Sequence, residues 1–186
     1  IVFLVDVDNT LLDNDRIRED IQRDFEPVSL VGTIEWGLIT GLDTPYKSAA
    51  DLIADARARP GKVDYSSGGI GSPQHIGMAL FASQAGIQMT HVPYKGATQA
   101  AVGVAANEVP VSLQGLGTAA SLLAAKKVRL LGVGTPARLA AFPDAPPISE
   151  SGLAGFEFNS WFAIMAPKGT PKPIVEKLSA EVRKAL

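Results

Sequence analysis

Val63-Asp64-Tyr65-Ser66-Ser67-Gly68-Gly69-Ile70-Gly71-Ser72-Pro73-Gln74-His75 decides the fold. A short β-favouring run ends in three glycines and a serine, and a proline sits where it opens a helix. The reading is a strand over 63–66, a glycine-rich loop over 67–72 and a helix over 73–85. Outward from this unit the rhythm repeats. Strands are predicted at 89–92, 109–113, 130–134 and 158–166, and helices at 98–106, 119–125 and 171–186. Upstream, a helix over 48–57 is capped by Ser48 and stopped by Pro60-Gly61, and strands are read at 28–33 and 36–40. Strands alternating with helices of this length predict an α/β fold with a largely parallel sheet.

Composition narrows the function classes. The chain has 186 residues, 46% hydrophobic and 19% charged, enough for a packed core. A formal charge of -2 supplies no basic field for nucleic acid. No apolar run reaches the roughly 18 to 20 residues that cross a bilayer, so direct membrane insertion is not expected, and no signal peptide is read at the start. Cysteine is absent, and His75 and His91 lie far apart in sequence without ligand-like spacing, so no metal site and no cofactor is expected.

The loop is the first candidate site. A helix N-terminus preceded by glycines presents unpaired N–H groups and the positive end of a helix dipole, and a carboxylate suits both. Ser66, Ser67 and Ser72 add hydroxyls beside the amides of Gly68, Gly69 and Gly71. The competing reading is a tight strand-to-helix turn with Ser72 as a simple cap. Lys95-Gly96-Ala97 opens the next helix in the same sense, and Gln114 ends a strand. His75, one turn into the helix, either touches ligand or bonds locally to hold the loop. His91 reads as a residue that caps or orients backbone. Trp36 and Trp161 read as packing residues.

A family resemblance rests on an ordered series of motifs. They are Asp24-Phe25-Glu26-Pro27-Val28, Pro60-Gly61-Lys62, Tyr65-Ser66-Ser67, Gly71-Ser72 with His75, His91-Val92-Pro93-Tyr94-Lys95-Gly96, Ala137-Arg138, Phe142-Pro143-Asp144, and Trp161 ahead of Ala166-Pro167-Lys168-Gly169-Thr170-Pro171. From about Asp24 onward the chain resembles the tripartite tricarboxylate (Bug) receptors. That resemblance implies a periplasmic, non-catalytic, two-lobed solute-binding protein holding a small carboxylate and working with membrane transporter subunits. It also implies a periplasmic-binding-protein-like lobe plus partial elements of a second. The expected divisions are 24–42 for strands crossing from the first lobe, 43–155 for the second lobe, and 156–186 for a returning strand and helix. In the resemblance Ser66, Ser67, Gly68, Gly69, Gly71, Ser72, His75, Lys95, Gly96, Ala97 and Gln114 form the ligand wall. The first-lobe loop that would grip the ligand from the other side is not found.

Residues 1–23 read differently. Phe3-Leu4-Val5-Asp6-Val7-Asp8-Asn9-Thr10 resembles the first motif of haloacid dehalogenase-like phosphohydrolases, in which Asp6 would be nucleophile and Asp8 general acid/base with Mg²⁺ between carboxylates. The further motifs that such chemistry needs are not found after Asp24. The expectation is therefore a chimeric chain, with the phosphohydrolase as the alternative function.

Overall fold

The computed structural model describes residues 22–186, together with the backbone of residues 2–7. The chain divides into two compact units, Glu35–Asn159 on one side and Ile1–Ile34 with Ser160–Leu186 on the other.

The larger unit is a sheet with helices in alternation. It contains the second part of β2 (Phe25–Gly41), then α1 (Ala49–Ala58), β3 (Asp64–Ser67), α2 (Pro73–Ala85), β4 (Thr90–Pro93), α3 (Ala97–Ala105), β5 (Val111–Gly115), α4 (Leu116–Ala124) and β6 (Val128–Val133). β3 pairs in parallel with both β4 and β5, whereas β2 runs antiparallel to β5 and to β6. The α/β architecture is as expected, but its sheet is mixed rather than largely parallel. Local apolar pattern states which residues are buried and carries no sign of strand direction.

The two strands expected at 28–33 and 36–40 are one strand. Along β2 the burial is partial and irregular until Glu35, then continuous from Trp36 to Gly41, where β5 and β6 flank it. A strand covered on one stretch and central on the next changes its pattern without breaking. Beneath it the core is built from Leu38, Ile39, Leu52, Met78, Phe81, Val111 and Leu113, all at most 1% exposed.

Helix α1 begins as its sequence requires. Ser48 Oγ accepts from Asp51 N–H at 3.2 Å, and Asp51 Oδ2 accepts from the amides of Ser48 and Lys47, each at 2.9 Å. This reciprocal box satisfies donors that the first turn would otherwise leave open. Ser48→Ala is expected to lower the unfolding free energy by about 1 kcal/mol, read from the urea midpoint at constant slope.

The smaller unit holds β1 (Val2–Val7), the first part of β2, β7 (Asn159–Pro167) and α5 (Lys172–Ala185). β1 lies antiparallel to β7, which neighbours β2 in turn. Lys168 ties the strand ends together, its N–H donating to Asp24 O at 2.9 Å and its ammonium lying 3.1 Å from Glu26. Among the described residues its buried apolar side chains are Val28, Ala163, Met165 and Ala166, while Leu30, Ile174 and Leu178 stay exposed. The thicker core, and hence more of the hydrophobic stabilisation, lies in the larger unit.

Candidate functional site

Because β3 is parallel to β4 and β5, the carboxyl ends of all three strands fall on one edge of the larger unit's sheet. Each is followed at once by a helix, so the N-termini of α2, α3 and α4 gather along that edge. Strand carboxyl ends of this kind are where open α/β sheets receive ligands. The three starts differ. α2 is capped by Ser72, whose Oγ accepts a long bond of 3.4 Å from His75 N–H. α3 begins at Gly96 and α4 at Gly115 with no side-chain cap, which leaves their first-turn amides to solvent or ligand.

The glycine loop is folded tightly onto the start of α3. Tyr94 N–H donates to Ser67 O at 2.9 Å. A Cβ on Gly68 would lie 2.9 Å from the backbone nitrogen of Ala97, so only glycine permits this approach. Gly71, at φ 77°, turns the chain into α2.

Most of the loop's own donors are already engaged. Gly69 N–H donates to Ser67 Oγ at 3.1 Å, Gly71 N–H to His75 Nδ1 at 3.1 Å, and Ser72 N–H to Gly69 O at 3.2 Å. Ser66 and Ser67 are fully buried. Ser66 Oγ donates to Ala100 O at 3.0 Å, and Ser67 Oγ meets His91 Nε2 at 2.6 Å. These residues shape the loop from within. The amides of Gly68 and Ile70 have no bond to another described residue, and the Ile70 side chain is 83% exposed at the loop tip.

His75 and His91 stack face to face, with ring centroids 4.1 Å apart and planes 13° from parallel. Tyr65 lies beside the stacked pair, its ring centroid 5.1 Å from His91 and 6.4 Å from His75. Burial, and after it the neighbouring His75, hold the His91 pKa below its ordinary value of 6.5.

Gln114, at the end of β5, is fully buried. Its Nε2 donates to Ser112 Oγ at 2.9 Å, Ser112 Oγ donates to Ser66 O at 2.8 Å, and so β5, β3 and α3 are linked by one chain of bonds. That chain fixes the orientation of the amide and, among the described residues, leaves Gln114 Oε1 with no donor. A buried acceptor of this kind calls for a donor from water or ligand. Lys95 is exposed, on the turn before α3. Trp36, 3% exposed, packs edge to face on Phe158 at 5.4 Å, the packing place expected of it.

The sequence reading missed the start of α4, placing it at Ala119 instead of Leu116. No Ser, Thr, Asp or Asn stands at Gly115 to announce a helix, and the only signal was the strand-glycine-apolar step Gln114-Gly115-Leu116. Of the two aspartates of the phosphohydrolase motif, Asp6 lies within β1 opposite Trp161, not beyond the strand's end, and Asp8 lies outside the described residues.

Comparison with known proteins adds an independent line. A family profile described as "Tripartite tricarboxylate transporter family receptor" matches residues 14–186, beginning inside the segment read as phosphohydrolase-like. The UPF0065 protein in the tcbD-tcbE intergenic region of Pseudomonas sp. (strain P51) is 37% identical over 172 residues, covering 92% of this chain and 51% of that protein. The structure of R. palustris Rpa4515 with adipate superposes with a TM-score of 0.76 at 35% identity, over 87% of this chain and 54% of that one. MatC (Rpa3494) from Rhodopseudomonas palustris with bound malate gives 0.76 at 27% identity, over 87% and 55%. The chain thus spans about half the length of the relatives it matches.

Proposed function

The chain belongs to the tripartite tricarboxylate transporter receptor family, and from that we propose that it supplies the binding wall of a solute receptor for a small dicarboxylate. The observation that carries the reading is the gathering of three helix N-termini on one sheet edge, two of them without a side-chain cap. Amides at helix starts favour a carboxylate both as donors and through the dipole.

The wall divides into two sets. Gly68, Lys95, Gly96, Ala97 and the exposed amide of Ile70 face the anion, and Gln114 Oε1 accepts from a hydroxyl, an acid proton or a bridging water. Ser66, Ser67, Gly69, Gly71, Ser72 and His75 give the loop its shape. Lys95, on the turn before the α3 amides, adds a solvated positive charge of the sign that draws anions in. The adipate and malate named with two related structures favour four- to six-carbon diacids as the ligand class. In this reading the protein works outside the cytoplasm, delivers its solute to membrane transporter subunits and catalyses no reaction. The phosphohydrolase alternative has no supporting observation among the described residues.

Isothermal titration calorimetry tests this with adipate, malate and dimethyl adipate. Saturable heats with the diacids and none with the diester are expected, since the ester removes the charge and keeps the shape. Equal binding of the diester, or no binding of either diacid, would refute the reading.

A further inference from the structure

We infer that His75 and His91 are positioning residues that form a proton-sensitive latch on the glycine loop, locked while His75 Nδ1 accepts from Gly71 and released when a proton occupies that nitrogen. The inference rests on the carboxylate wall proposed above and assigns that wall a regulation.

The latch is defined by its bonds. His75 Nδ1 accepts the Gly71 N–H at 3.1 Å, so in the neutral ring the proton sits on Nε2. A proton added at Nδ1 takes the lone pair that holds Gly71, and the loop loses that bond at the residue whose φ of 77° turns the chain into α2. On the other ring, His91 Nε2 and Ser67 Oγ lie 2.6 Å apart; the same oxygen accepts from Gly69 N–H, and its one proton goes either to Nε2 or to Gly69 O at 3.0 Å, so this bond reverses direction and persists when His91 is protonated. The two imidazoles therefore hold the loop from both of its ends. With 4.1 Å between ring centroids, charge on one ring opposes charge on the other.

β3 contributes Tyr65, a neutral phenol whose pKa burial pushes up, and Asp64, which bonds to neither ring. The turn after β4 contributes Tyr94, bonded to Glu108 Oε2, and the exposed Lys95. Among the described residues no carboxylate hydrogen-bonds or ion-pairs with either histidine.

The sign follows from the shift. The folded His91 pKa lies below 6.5, so the unfolded chain binds more protons in the window just under that value. The stabilisation linked to neutral His91 is full above pH 6.5 and is lost as pH falls from there through its depressed folded value. Loop order and anion affinity should fall together on acidification.

Two measurements test the latch. The first needs no ligand: ¹H–¹⁵N spectra of the parent from pH 7.5 to 5.0 are expected to move or broaden the Gly69 and Gly71 amides with the same midpoint as the histidine rings. In His75→Asn, where Asn Oδ1 can still accept from Gly71 N–H but cannot titrate, that midpoint should vanish from Gly71. His91→Gln is the second variant, keeping a polar atom toward Ser67 Oγ, should the first fail to fold. The second measurement is adipate affinity, taken as the ratio of parent to His75→Asn at each pH so that titration of adipate cancels. A fall in that ratio of at least about fivefold between pH 7.5 and 5.0 is expected, the lower end of coupling between linked sites. A Gly71 amide that ignores the histidine titration, a variant that titrates like the parent, or a ratio that stays flat or rises overturns the latch. Absence of adipate binding at every pH would instead count against the proposed wall, and the amide titration would still decide the latch.

Discussion

Gly68→Ala is expected to weaken diacid binding by about tenfold, which corresponds to about 1.4 kcal/mol, and to lower stability by about 1–3 kcal/mol through overpacking against backbone. The reason is space rather than backbone conformation. The added methyl would meet Ala97 N at 2.9 Å, Gly96 C at 3.2 Å and Ala97 Cα at 3.4 Å, all of them backbone at the start of α3. A helix start cannot rotate away as a flexible side chain can, so the loop must retreat by several tenths of an ångström. It would separate the amides of residues 68 and 70 from those of α3, the two groups proposed to share one carboxylate. Gly71→Ala is the control that separates conformation from contact. There φ is 77° with nothing within 4 Å of the new methyl, so the cost is strain of about 1 kcal/mol in stability. Calorimetric titration with adipate, paired with thermal melts of both variants, reads the two effects apart. Unchanged affinity in Gly68→Ala would show that the approach of loop to helix has no part in binding.

What could be read from the chain in advance depended on how local the cause was. Helix α2 runs from Pro73 to Ala85 as anticipated because every signal is adjacent: Ser72 caps it, Pro73 opens it, and Gly86 ends it at φ 61°. α1 was legible for the same reason, with Ser48 and Asp51 forming the box. α4 was placed a turn late because Leu116, buried at 4%, joins the core without a capping residue before it. The direction of β2 was not legible at all, since pairing with β5 and β6 is decided by partners distant in sequence.

The site divides along the same line. Its place at a glycine-rich strand-to-helix turn follows from the sequence around Ser67 and Ser72. The fate of each amide does not, because whether Gly71 N–H is available depends on where the His75 ring comes to rest, and that is set by the stack with His91 and Tyr65. The buried oxygen of Gln114 is likewise a product of assembly. Among the described residues it has no donor, while the neighbouring Ser112 takes the amide's Nε2–H and directs its own hydroxyl to Ser66 O.

Phe158→Ala is expected to produce the largest loss of stability in the larger unit, about 3–5 kcal/mol by urea unfolding. That is a large part of the roughly 5–15 kcal/mol that holds an ordinary domain together. The ring is fully buried, meets Trp36 edge to face at 5.4 Å, and lies against α2 at Gly77. A methyl on Gly77 would fall 2.9 Å from Phe158 Cε1 and Cζ and 2.3 Å from Leu113 Cδ2, so helix and ring are fitted to one another at a point where α2 has no side chain. Gly77→Ala alone should therefore cost about 1–3 kcal/mol through overpacking. In a Phe158→Leu background the ring carbons are gone and part of that penalty should disappear, giving a non-additive cycle of about 0.5 kcal/mol or more. Strict additivity would mean that Leu113, and not Phe158, sets the height of α2 over the sheet, and with it the position of the glycine loop that the helix carries.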